Sequence, residues 1–188
     1  MEQGVLDTLY QVLRSPSEGI RDACRREAVG WAVLIVAIVS AVFGATQLLG
    51  SSGALSASDV LDIFWGVVVW VVGLFVIAGI MHVIALVLGG EGSYSGLVSG
   101  LGFASFPIVL FAPLSLFYAL SLGALGLIVY FLGGIGLFLW VFVGLSVAAI
   151  RENYGFSTRR AIVTYWMPGI LLMGFSFIFL ALHFMFLL

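Results

Sequence analysis

The chain has 188 residues, of which 63% are hydrophobic and only 9% charged, against roughly 45–50% and about 25% in soluble domains. At a mean hydropathy of +1.25, too few charges exist to cover a soluble globule or to keep a chain disordered. A formal charge of −2 argues against nucleic acid as a partner, and a single cysteine excludes a disulfide framework within the chain.

The first 28 residues form a charged lead-in. Val5, Leu6, Leu9, Tyr10, Val12 and Leu13 fall on one side of a short helix. Pro16 interrupts it, and Ser17 is placed to cap a second helix starting near Glu18. The pattern predicts an interfacial helix, a proline turn and a basic helix entering the membrane. Cys24 beside Arg25 and Arg26 has a palmitoylation-like context; a free thiol in a reducing cytoplasm is the plainer reading.

Residues 29–188 read as a single membrane domain. Charged residues leave four uncharged runs, Ala28–Ser58, Ile63–Gly90, Gly92–Ile150 and Ala161–Leu188. A spanning helix needs about 20 apolar residues. The third run, 59 residues long, therefore holds two spans, with a turn at Ser121–Gly126. The expected spans are 29–49, 61–88, 97–120, 127–149 and 161–187. The fold class is all-α, a polytopic bundle of five transmembrane helices. The runs are continuous rather than alternating, which excludes a barrel. The first run exceeds the about 7–15 residues of a signal-peptide core and is read as an anchor.

All seven basic residues are arginines, four before the first span and three between the fourth and fifth. With five spans, every one lies on the same side as the 89–96 loop. The positive-inside rule then places the N-terminus in the cytoplasm and the C-terminus outside.

Few side chains inside the spans can carry chemistry. His82 sits about 9 Å from the inner end of the second span. Ionisable residues at membrane depth are often functional. The structural alternative is a neutral imidazole bonded to a nearby carbonyl or hydroxyl. Glu91 lies in the following loop, within reach of His82. His183 falls near the opposite end of the fifth span, so the two histidines cannot share an ion, and no metal site is expected. Ser176 and His183 stand about 10 Å apart along one helix, too far for a nucleophile and its base. No catalytic group and no cofactor follow from the sequence. Asp59 and Asp62 suit the start of the second helix, with Ser58 or Asp59 as its cap.

Gly92, Gly96, Gly100 and Ala104 recur every four residues. Such a small-residue stripe lets another helix approach closely. The short 89–95 turn makes the second span the expected partner, with His82 facing the stripe or its edge. Pro107 and Pro113 in the third span and Pro168 in the fifth each remove a donor and are expected to kink their helices.

The stretch His82–Pro107, HVIALVLGGEGSYSGLVSGLGFASFP, resembles the centre of the Yip-domain proteins, the Ypt/Rab-interacting membrane proteins. The shared features are a helix with a histidine, a Gly-Gly turn, a Gly-Ser-Tyr step and an aromatic-Ala-x-x-Pro helix. The segments LYQVLRSPSEGIR (9–21) and YGFSTRRA (154–161) are similar to the family's lead-in and last-helix entry. The resemblance implies a five-helix domain with a cytoplasmic N-terminus. The resemblance implies a link to eukaryotic members that take part in vesicle trafficking, bind Rab-type GTPases and carry a longer cytoplasmic N-terminal region with an Asp-Leu-Tyr-Gly-Pro motif. This chain has neither, so a Rab-type GTPase is not the expected partner; it looks more like short prokaryotic members of the cell membrane. The expected role is a non-enzymatic scaffold contacting the bilayer and membrane-protein partners, or itself. The alternative is a small-solute or ion path near His82 and the kinked third span.

Overall fold

The computed structural model of the chain describes residues 4–48, 56–120 and 123–187, all of whose regular elements are helical. Two short helices come first, α1 (Val5–Arg14) and α2 (Pro16–Arg26). Pro16 occupies the first position of α2, where a missing N–H costs nothing. The helix therefore starts ahead of the expected Glu18. Ser15, not Ser17, takes the N-cap position.

The long helices follow: α3 (Val29–Leu48), α4 (Ala57–Val87), α5 (Tyr94–Ala104), α6 (Phe111–Leu120), α7 (Ala124–Phe138), α8 (Ser146–Tyr154) and α9 (Thr158–Leu187). Two irregular turns interrupt them. Phe106–Leu110 winds as a 3-10 turn between α5 and α6, and Leu139–Leu145 as a π-helical turn between α7 and α8. Counted through these turns, four helical stretches among the described residues are long and apolar enough to cross a bilayer: Val29–Leu48, Ala57–Val87, Tyr94–Leu120 and Ala124–Tyr154. The continuous helix α9 covers the stretch expected as a fifth span. In hydrocarbon every backbone group must be satisfied within its own helix, which is why these runs are helical.

Proline acts unequally. Pro107 stands inside the 3-10 turn, where the α ladder is broken. Pro113 lies in the first turn of α6, a position that tolerates it, and α9 continues through Pro168. The cap of α4 also differs from expectation. Ser56, rather than Ser58 or Asp59, is the N-cap, and Asp59 completes a reciprocal capping box by accepting from the Ser56 N–H at 2.8 Å. Of the expected turn at 121–126, residues 121 and 122 lie outside the described residues, and α7 already begins at Ala124.

The first half of the third span is the hub. In α5, Gly96, Leu97, Val98, Ser99, Gly100, Gly102, Phe103 and Ala104 are all buried. Leu97 and Val98 pack in one cluster with Ala78, Met81 and Ala85 of α4. Gly102 lies against Ala32 of α3, whose Cα would be 2.8 Å from any Cβ at position 102. Gly96 and Gly100 face α2 and α8. The second span was the expected partner of the stripe; it takes the Leu97–Val98 face instead. Lipid supplies no apolar driving force between helices, so dispersion at close range decides, and small residues admit the backbone of α2.

Candidate functional site

Three segments far apart in sequence meet at one end of the bundle: α2 with Glu27, the 88–95 turn, and the end of α8. Each of the three is shaped locally before it is joined. Glu27 ends α2 in a left-handed conformation, φ 48°, which turns the chain straight into α3. Ser93 caps α5 by accepting from the Gly96 N–H at 3.0 Å. Gly155 ends α8 in a left-handed conformation, φ 64°, that glycine adopts without strain.

Side chains then bind the segments together. Ser93 and Ser95 both donate to the Glu27 carboxylate, the second at 2.7 Å. Asn153 Nδ2 donates to the Ser93 carbonyl at 2.8 Å. Ser99 Oγ donates to the Ala23 carbonyl at 2.8 Å. Arg21 Nε lies 2.6 Å from Glu152, whose other oxygen takes Arg151 at 2.7 Å. Arg151 also donates to Ser17 at 2.9 Å. Within the lead-in, Thr8 donates to Asp22 at 2.6 Å and fixes α1 on α2. The two serine hydroxyls, Ser93 then Ser95, hold the Glu27 carboxyl below the usual carboxylate range. Burial, reinforced by the Glu152 charge, pushes the Cys24 thiol up to about 12. Cys24 is 5% exposed, so its thiol is closed to an acylating enzyme and is a poor nucleophile.

His82, on α4, stands beside this junction. Its Nδ1 is 2.5 Å from the Tyr154 hydroxyl at the end of α8. The ring lies between Tyr94, at 5.8 Å, and Tyr154, at 5.9 Å, centroid to centroid. Tyr94 in turn donates to the Phe75 carbonyl at 3.0 Å. Glu91 is exposed and makes no hydrogen bond or ion pair among the described residues, so the anticipated His82–Glu91 contact does not form. Tyr154 takes that place because Gly90 folds the turn onto it. A Cβ at Gly90 would stand 2.8 Å from both Tyr154 and Phe156. The arrangement joins α4 to α8 through an imidazole and a phenol. It can hold or pass a proton between them, but it contains neither a carboxylate nor a serine or thiol nucleophile.

Sequence reasoning passed over Asn153, Glu152 and Glu27. The available signal was positional. Asn153 and Glu152 directly precede the Tyr154-Gly155 helix end, and Glu27 is the last charge before the first span.

A second feature lies deeper. A cavity of about 620 Å³ opens between α4, the inner wall formed by α5 and the π turn, and α9. Its lining is almost wholly apolar, with Trp70, Met81, Ser105, Phe142, Trp166 and Gly169 around it.

A family model described as the Yip1 domain matches residues 10–180, nearly the whole chain. No curated protein and no solved structure matches.

Proposed function

The chain belongs to the Yip1 domain family, and we propose that it serves as a non-enzymatic membrane scaffold that organises membrane-protein partners or bilayer shape. It is an integral, multi-pass protein. In the topology we propose, α9 is a fifth span, the junction of α2, α5 and α8 faces the cytoplasm, and the C-terminus lies outside. The arginine distribution supports this orientation. Segments carrying Arg21, Arg25, Arg26 and Arg151 converge on the same end as Ser93. A prokaryotic cell membrane is the setting we favour, on the resemblance to short members.

One observation carries the scaffold reading. The helix α1 is locked from behind, with Thr8 and Val12 fully buried, and presents Leu6, Tyr10 and Leu13 outward at 79%, 61% and 41% exposure. These sit at i, i+4 and i+7, a single helical stripe. A rigidly held apolar stripe beside a membrane is a surface for lipid or for a partner helix. A solute path through His82 is the competing reading, and the engagement of His82 by Tyr154 and Tyr94 weighs against it.

The test is in-cell photocrosslinking from position 10 in the full chain, followed by mass spectrometry. A reproducible membrane-protein adduct, or a self-adduct, is the expected result. Recovery of no reproducible partner, not even the chain itself, overturns the reading.

A further inference from the structure

The cavity between α4 and α9 has no part in the scaffold argument, and its shape is specific. Along α4 its lining runs from Val69 to Met81, about 18 Å of helix. That is slightly more than one leaflet of a hydrocarbon core about 30 Å thick. The volume of 620 Å³ lies within the about 300–1,000 Å³ of ligand pockets.

Its wall offers hydrocarbon. Ser105 donates to the Gly102 carbonyl at 2.7 Å and Ser146 to the Val141 carbonyl at 3.2 Å, so both hydroxyl protons are already engaged. Both irregular turns of the bundle help to build it, since Ser105 precedes the 3-10 turn and Val141 and Phe142 belong to the π turn. Such π turns recur at functional sites. Two glycines widen it. A Cβ on Gly73 of α4 or on Gly169 of α9 would meet nothing within 4 Å. These glycines are not closing a helix contact, in contrast to Gly96 and Gly100, and their lack of a side chain leaves the space open.

No charged side chain lines the groove itself, but one lies beyond it along α9. Arg159 precedes Trp166 by seven residues and Gly169 by ten, which places all three on one face of α9. It stands about 10 Å above Trp166. Arg159 and Arg160 are exposed, and no acidic side chain pairs with either among the described residues. They also lie in the first turn of α9, where positive charge opposes the helix dipole. An anion at the mouth and an alkyl chain below it would satisfy both ends.

We propose that this groove holds an acyl chain of an anionic phospholipid from the adjoining leaflet, with its phosphate at Arg159. The proposal rests on the reading of α9 as a span. A bilayer lipid is the occupant that joins a negative head to a chain of one leaflet's depth.

The experiment uses the full chain in nanodiscs of phosphatidylglycerol and phosphatidylcholine, released into neutral detergent for native mass spectrometry. The wild type is expected to retain phosphatidylglycerol over phosphatidylcholine. Gly169→Leu, and independently Gly73→Leu, should fill the groove and lower retention about tenfold while the protein stays monodisperse. Arg159→Gln should lower phosphatidylglycerol retention about fivefold and leave phosphatidylcholine unchanged. Equal retention of the two lipids by the wild type, or unaltered retention in both folded leucine variants, overturns the proposal. Quenching by phosphatidylglycerol brominated on its acyl chains, compared between wild type and Trp166→Phe, separates the two failures. If Trp166 is not quenched, α9 is not a span and both readings fall. If it is quenched without lipid selectivity, only the groove proposal falls.

Discussion

The thiol of Cys24 occupies the space that a side chain at position 100 would need: a Cβ built on Gly100 would stand 2.5 Å from Cys24 Sγ and 3.1 Å from the Ala149 Cβ. The contact fixes α2 between α5 and α8. It also alters what substitution at Gly100 means, because even one added methyl meets sulfur.

Gly100→Ala should therefore destabilise the protein by about 1–3 kcal/mol through overpacking. Cys24→Ala removes the opposing atom and should rescue it. The double variant is expected to be more stable than the sum of the single effects predicts, by about 0.5–3 kcal/mol of coupling. Thermal unfolding of the four proteins in detergent measures this. Additive effects would show that α2 does not press on Gly100.

Glu27 supplies a pH dependence. Its folded-state pKa is lowered by the Ser93 and Ser95 hydroxyls. The stabilisation is thus present above the unfolded carboxyl value of 4.5 and is lost as pH falls through the lower folded value. Melting temperature should fall on the acid side of 4.5 partly through this group. Glu27→Gln should lower stability at neutral pH and flatten that acid limb. An unchanged acid limb would mean that the serines do not hold the carboxylate in solution.

Tyr154→Phe removes the hydroxyl bonded to His82 and leaves an imidazole nitrogen unmatched. A cost of about 1–3 kcal/mol is expected. His82→Ala in the Tyr154→Phe background should then cost less than in wild type. Liposome flux assays of the same proteins test the competing path reading. Any solute flux that disappears in His82→Ala would favour it, and a flux indifferent to the substitution removes His82 from consideration.

Serine at Leu6 and Leu13, with the photoreactive residue kept at position 10, should abolish crosslinked adducts. Each change should alter stability by within about 0.5 kcal/mol, because the side chains face outward. Comparable adduct yields from this double variant would move the partner surface elsewhere on the molecule.

The proposed topology is tested by reporters. A fusion after Leu188 should be active only with a reporter that works outside the cytoplasm, and one in the 155–157 turn only with a cytoplasmic reporter. The opposite result at Leu188 alone would remove α9 from the count of spans.

Much of the architecture was written in composition. Long uncharged runs have one solution in hydrocarbon, the helix, and this locates four candidate spanning stretches among the described residues to within about five residues at each end. Small residues at a four-residue spacing announced a close approach to the third span, and the family resemblance came from the same stretch. The partner in that approach was another matter. A glycine states only that something comes near. Whether α2 or α4 does so depends on shape and on polar matches between residues distant in the chain, such as Ser99 with Ala23 and Asn153 with Ser93. The π turn at Leu139–Leu145 was equally hidden. It is a shift in backbone hydrogen-bond register, taken up where neighbouring helices reward it, and apolar residues of the same kind also form an ordinary α-helix. Local sequence set which segments are helices; long-range packing set which faces meet, and with them the junction at Glu27, the pairing of His82 and the groove beside α9.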